Sequence, residues 1–218
     1  MKERCVVVGG ARISRPERIK KLFREDDFFI YCDSGLLHEA ALGRAPNLIV
    51  GDFDSHEKPD TDIETIVLPR EKDDTDTVFA VKEAIRRDFE EFLLVGVTGQ
   101  RVDHSLGNIC ILLKLESLGL KGKIADDMSL IEVVSQRPAE VEDEWAFFSL
   151  INIDGSPRDI SIKDAKYELS HAEISCEYQY AISNEPVKGK TARISVGHGR
   201  LLLIKSYGES TAANTAKK

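Results

Sequence analysis

The chain changes its hydrophobic period once, near Asp126, and that change limits the folds open to it. From Arg4 to about Ala125, short β-branched runs alternate with longer stretches whose apolar residues recur every three or four positions. The runs are Cys5–Val8, Phe28–Cys32, Leu48–Val50, Ile63–Leu68, Phe92–Val95 and Lys123–Ala125. Between them, Arg15–Arg24, Gly35–Leu42, Thr77–Asp88 and Ser105–Leu118 have helical spacing. Strands joined through crossover helices make a parallel sheet. After Asp126 the runs Leu130–Val134, Ala146–Ile151, Ile160–Ile162, Ala165–Leu169, Ala181–Ile182, Ala192–Val196 and Leu201–Ile204 follow one another without an amphipathic helix. Short strands punctuated by Gly, Pro, Asn and Asp imply an antiparallel sandwich or open barrel. The expectation is an α/β domain over residues 1–125, a β domain over 126–208 and a frayed polar tail over 209–218.

Composition narrows the function classes. A net charge of -8 argues against a nucleic-acid binder, because that affinity comes from Lys and Arg releasing counterions. No apolar run approaches the roughly 18 residues of a membrane helix, and Cys5–Gly10 is too short for a secretory core, so a cytoplasmic, membrane-free protein is expected. Cys5, Cys32, Cys110 and Cys176 are scattered without zinc or redox spacing and read as buried reduced thiols.

The acids fall where strands end. Asp33 follows the second run, Asp52 and Asp54 the third, Asp73, Asp74 and Asp76 the fourth, and Asp103 the fifth. Ligands of open parallel sheets bind outside the carboxyl ends of the strands, so four loops each bring a carboxylate to the ligand-binding edge. If extension persists through Gly51-Asp52-Phe53-Asp54-Ser55, Asp52 and Asp54 share one side with Cα atoms roughly 6 to 7 Å apart. Carboxylates that close repel unless a cation or proton sits between them. Magnesium, a hard ion taking oxygen ligands, suits a sparse carboxylate site without His or Cys. The plainer alternative is an Asx turn.

Two further loops bear on the same edge. In Lys72-Asp73-Asp74-Thr75-Asp76-Thr77, Asp74 is the expected helix cap. Asp76 completes a three-carboxylate metal set with Asp52 and Asp54, and Lys72 adds charge for a phosphate. In Gly96-Val97-Thr98-Gly99-Gln100-Arg101-Val102-Asp103-His104, glycines and a helix start suit a phosphate. Arg101 can clamp its oxygens, and Asp103 either accepts from a ribose or base or caps the helix. Gly9-Gly10 is a similar backbone contact. His198 reads as a hairpin residue, Trp145 as core or interface, and Ser183-Asn184-Glu185-Pro186 as a turn.

Together these stretches resemble the thiamine pyrophosphokinase family. The resemblance lies in Asp33-Ser34-Gly35, Pro46 through Gly51-Asp52-Phe53-Asp54-Ser55, Lys72-Asp73-Asp74-Thr75-Asp76, Gly99 through His104 with Leu106 and Asn108, Ser183-Asn184-Glu185, and the closing Gly199–Ile204 strand. It implies a Rossmann-like catalytic domain followed by a β-sandwich domain, in a homodimer with active sites between subunits. The implied reaction moves the pyrophosphoryl group of ATP to thiamine, giving thiamine diphosphate and AMP. By resemblance Asp52, Asp54 and Asp76 hold Mg2+. Asp33, Ser34, Lys72, Asp73, Thr75, Arg101 and Asp103 then surround the nucleotide and the transferring group, and Ser183 and Asn184 lie against thiamine. Asp54, Asp73 and Asp76 are the expected catalytic acids. Gln100 stands where the family usually shows a second glycine. Two other readings compete: a nucleotide-sugar transferase using Asp-Phe-Asp as its metal motif, and a non-catalytic nucleotide or thiamine sensor.

Overall fold

A computed structural model describes residues 4–53, 59–71, 73–99 and 101–208. The chain divides into two compact units, Met1–Asp127 and Met128–Lys218.

The first unit contains, in order, β1 (Cys5–Val8), α1 (Pro16–Lys20), β2 (Phe28–Cys32), a 3-10 turn (Asp33–His38), α2 (Glu39–Leu42), β3 (Leu48–Gly51), β4 (Thr65–Val67), α3 (Asp76–Arg86), β5 (Glu91–Val95), α4 (Val102–Ser117) and β6 (Lys121–Ala125). Its strands lie in the order β4-β3-β2-β1-β5-β6, each pair parallel. Every residue of β1 and β3 is buried, as parallel strands covered on both faces require. The amino edge is locked by a buried pair. Arg4 forks onto Asp27 at 2.8 and 2.7 Å, and Asp27 also accepts the Arg24 N–H at 2.8 Å. Removing either partner would leave a buried charge uncompensated.

The helices differ from their sequence periods. α1 starts on Pro16, whose missing N–H costs nothing there, and ends five residues on, well short of Arg24. Phe23 packs edge-to-face on Phe29 instead, with centroids 5.0 Å apart. The Gly35–Leu42 stretch is a 3-10 turn running into the short α2, which stops at Gly43 in the left-handed conformation. α3 is capped by Thr75, whose hydroxyl accepts the Val78 N–H at 3.3 Å. The expected cap, Asp74, bonds Lys82 at 2.6 Å, two helical turns along.

The second unit holds two antiparallel sets of strands. In one, β13 (Leu201–Ser206) pairs with β7 (Ser129–Val134) and with β9 (Phe147–Ile151). The other has the order β11-β10-β12-β8, with β8 Ala139–Val141, β10 Arg158–Lys163, β11 Leu169–Ala172 and β12 Ala192–His198. Burial alternates along β12, and its inward residues Ala192, Ile194 and Val196 join Phe148, Leu150, Ile160, Ile162, Leu201 and Leu203 in the core. β8 has no counterpart among the sequence runs, Ala165–Leu169 reaches a strand only at Leu169, and Ala181–Ile182 forms none. His198 is not a hairpin residue: the chain passes at Gly199 from one sheet to the other. Trp145 is buried against Tyr207, with ring centroids 4.4 Å apart. Cys5 and Cys32 are buried free thiols, but Cys110 and Cys176 are exposed, contrary to the expectation for all four. Among the described residues no helix is long and apolar enough to cross a membrane.

Candidate active site

The strand order of the first unit has one reversal. From β1 the chain steps outward through β2, β3 and β4, then returns to place β5 on the other side of β1. Loops diverge at the carboxyl ends of those two central strands, and a crevice opens at such a switch point. Here it is a cleft of about 710 Å3. Its walls come from the loop after β1 (Gly9 to Arg12), the 3-10 turn after β2 (Asp33, Ser34, His38), the start of α3 (Thr75 to Thr77) and the segment joining β5 to α4 (Gly96, Val97, Gly99, Arg101, His104).

Backbone passes very close to backbone at the cleft floor. Gly9 N–H donates to Val95 O at 2.9 Å and Ala11 N–H to Gly96 O at 2.8 Å. Gly96 has φ 63, and a Cβ there would lie 2.5 Å from the Gly9 carbonyl oxygen; at Gly35 a Cβ would lie 2.3 Å from that of Val8. Neither position admits a side chain. His38 Nε2–H donates to Ala11 O at 2.9 Å, and the buried Asn108 amide donates to Val97 O at 2.7 Å, tying α4 to the same floor.

Asp33 and Asp76 both line this cleft, from separate loops. Oδ1 of each is a buried oxygen without a hydrogen bond among the described residues, while both carboxylates have other interactions. Asp33 sits at φ 41, in the left-handed region that Asp tolerates better than most residues. The Cys32 thiol beside it is pushed well up by burial, with Asp76 adding to the rise, so it stays protonated and inert. Ser34 and Thr75 also line the cleft, Thr75 with its hydroxyl spent on the helix cap.

Asp52 follows β3 and is partly buried. Extension does not persist beyond Gly51. Phe53 has φ 52, so the two-residue period that aligned the flanking aspartates is broken there. Asp54, Lys72 and Gln100 lie outside the described residues. Asp73 is exposed and does not line the cleft, whereas Asp76, three residues on, does. Among the described residues no three His, Cys, Asp or Glu side chains form a metal-holding group.

Arg101 precedes α4 and lines the cleft, but its guanidinium is engaged. Nε and Nη2 donate to the two oxygens of Asp103 at 3.0 and 2.7 Å. That guanidinium, with the His104 N–H, holds the Asp103 carboxyl well below the usual carboxylate range. A phosphate reaching Arg101 would compete with Asp103.

In the second unit Ser183 has φ 58 and is exposed, its N–H bonded to Ser149 Oγ at 3.0 Å. Asn184 is buried and pairs with Phe148. Its amide donates to Tyr167 O at 2.7 Å, and its oxygen accepts the N–H groups of Tyr167 at 3.0 Å and Glu185 at 2.9 Å. The segment is therefore strand-like at Asn184, and the side chain anchors the Tyr167 backbone.

Sequence reasoning passed over Arg12 and His38. Arg12 lies in no motif and His38 sits inside a helical stretch that marks no ligand; only the position of the β1 and β2 loops at the switch point singles them out.

Comparison with known proteins gives this geometry a family. The model for the thiamin pyrophosphokinase catalytic domain matches residues 19–124, and that for the thiamin pyrophosphokinase vitamin B1 binding domain matches residues 137–201. A thiamine pyrophosphokinase of Bacillus subtilis is 28% identical over 214 residues, covering 94% of this chain and 99% of the relative. The solved thiamine pyrophosphokinase of that organism superposes with a TM-score of 0.83 at 23% identity, over 94% of this chain and all of the other. That from Geobacillus thermodenitrificans gives 0.81 at 26%, over 95% and 99%. Two family models in the right order, relatives matched end to end and a cleft at the switch point agree that this chain belongs to the thiamine pyrophosphokinase family.

Proposed function

We propose that this enzyme transfers the pyrophosphoryl group of ATP to thiamine, with Mg2+ as its metal and ATP as co-substrate. The observation that carries the reading is the convergence of Asp33 and Asp76, from separate loops, in one nucleotide-sized cleft at the β1/β5 switch point. The carboxylate oxygens of Asp33 and Asp76 are hard donors that suit Mg2+, while the Cys32 thiol is held protonated and His38 is bonded to Ala11. Asp76 and Asp52 would hold the ion together with Asp54. When bound, the ion would neutralise charge on the transferring phosphates.

The chain's own residues supply position. The glycine-rich floor lets the nucleotide approach backbone N–H groups, and the α4 terminus adds partial positive charge. The thiamine hydroxyl oxygen bonds to the β-phosphorus while the bond from that phosphorus to the α-bridging oxygen breaks, and AMP leaves. In-line placement and charge neutralisation account for most of the acceleration. Asp33, Ser34, Thr75 and Arg101, which line the cleft, are proposed to surround the nucleotide together with Lys72, with Asp73 and Asp103 acting from outside its lining and Asp54 receiving the hydroxyl proton. Ser183 is proposed to touch thiamine directly, and Asn184 to act through the segment that it anchors. A cytoplasmic homodimer with active sites between subunits completes the reading.

The test is mass-spectrometric identification of products from ATP, Mg2+ and thiamine. AMP and thiamine diphosphate should form in equal amounts, and only when all three are present. ADP as the nucleotide product would contradict the reaction, and glycosyl transfer to thiamine on adding a nucleotide-sugar in place of ATP would favour the nucleotide-sugar transferase.

A further inference from the structure

We propose that Arg12 is the principal phosphate-binding cation of the cleft; this rests on the nucleotide reading above. Arg12 lines the cleft and is exposed, and it makes no hydrogen bond or ion pair among the described residues. Its backbone is nevertheless fixed on both sides. Before it, Ala11 N–H bonds Gly96 O at 2.8 Å and Ala11 O accepts from His38 at 2.9 Å. After it, the Asp127 carboxylate accepts the N–H groups of Ser14 at 2.7 Å and Arg15 at 2.8 Å, and Arg18 bonds the Asp127 carbonyl at 2.7 Å. An anchored loop therefore holds a guanidinium that no described residue engages.

The contrast with Arg101 sharpens the assignment. Both side chains line the cleft, but Arg101 is forked onto Asp103, so an anion must first displace a carboxylate. Among the described residues Arg12 has no such competitor, and its five donors match phosphate oxygens bidentately. Asp33 and Asp76 line the same cleft, and acids repel a polyphosphate unless cations offset them. Arg12 supplies that offset from the β1 loop.

Calorimetric binding of ATP with Mg2+, and of adenosine, to the full chain tests this without requiring turnover. Arg12→Ala should weaken ATP by roughly 10-fold or more, the loss expected for hydrogen bonds to a charged group. Adenosine binding and Tm should stay unchanged, and Arg12→Lys should restore part of the loss. In the parent reaction the KM for ATP should rise while that for thiamine moves less than about twofold. Unchanged ATP affinity in Arg12→Ala would overturn the proposal, as would equal losses for ATP and adenosine. A parent that binds ATP through Arg12 yet forms no AMP would sink the reaction while supporting Arg12.

Discussion

Asp76 is the residue on which chemistry and architecture meet most directly. It opens α3 immediately after the Thr75 cap and lines the cleft from a loop separate from that of Asp33. Asp76→Asn keeps shape and size but removes a charge that the proposed metal and transition state would meet. We expect kcat to fall by roughly 100-fold or more, with Tm and circular dichroism close to the parent. Activity within a few-fold of the parent would remove Asp76 from the reaction. Residue identity was legible here because an Asp after a strand end is visible in any sequence. Its direction was not. Asp73 and Asp76 are three apart, yet only Asp76 lines the cleft; Phe53 turns left-handed where an extended strand was expected. A single φ angle decides such cases, and no hydrophobic period encodes it.

At the scale of elements, α3 also brings a charge network to the sheet. Glu83, buried on α3, accepts from Arg86 at 2.7 and 2.8 Å and from Arg87 at 2.7 Å. Arg87 forks onward to Glu64, immediately before β4. The Arg86 guanidinium, aided by Arg87 against the opposing effect of burial, brings the Glu83 carboxyl down to about 2. A folded-state value below the unfolded one contributes stability above the unfolded value, near 4.5. That contribution is lost as pH falls toward 2. Because Arg86 is largely solvated, the contribution is only about 1 kcal/mol, or roughly 2 to 4 °C in Tm. Thermal melts between pH 5 and pH 2 should therefore fall more steeply for the parent than for Glu83→Gln; parallel curves would contradict the network's role. Element existence was largely legible. Doubly buried runs such as Cys5–Val8 and Phe28–Cys32 coincide with β1 and β2 because parallel strands need continuous apolar sequence. Ala139–Val141 escaped notice because three residues, one an exposed Glu, make no pattern. Asp74 misled because its carboxylate found Lys82, leaving the cap to Thr75.

For the whole molecule, the change of period near Asp126 corresponds to a change of strand pairing, parallel in the first unit and antiparallel in the second. Fold class follows from period and strand spacing, which are properties of the sequence alone. The site is different, because it depends on strand order. That β5 returns to lie beside β1 brings Gly96 within reach of Gly9 and sets Arg12 over the same cleft as Asp76. No local signal states that order, and so Arg12 and His38 emerge only from the folded chain.

The central claim, that carboxylates from separate loops gather one divalent ion and a nucleotide at the β1/β5 crevice, is tested most directly by crystallography. Mn2+ replaces Mg2+, a non-hydrolysable ATP analogue replaces ATP, and the metal is located by anomalous scattering. The account predicts an anomalous peak in the cleft, within ligand distance of Asp76 and of the analogue's phosphates. A peak elsewhere, or phosphates bound away from the loop after β1, would contradict it.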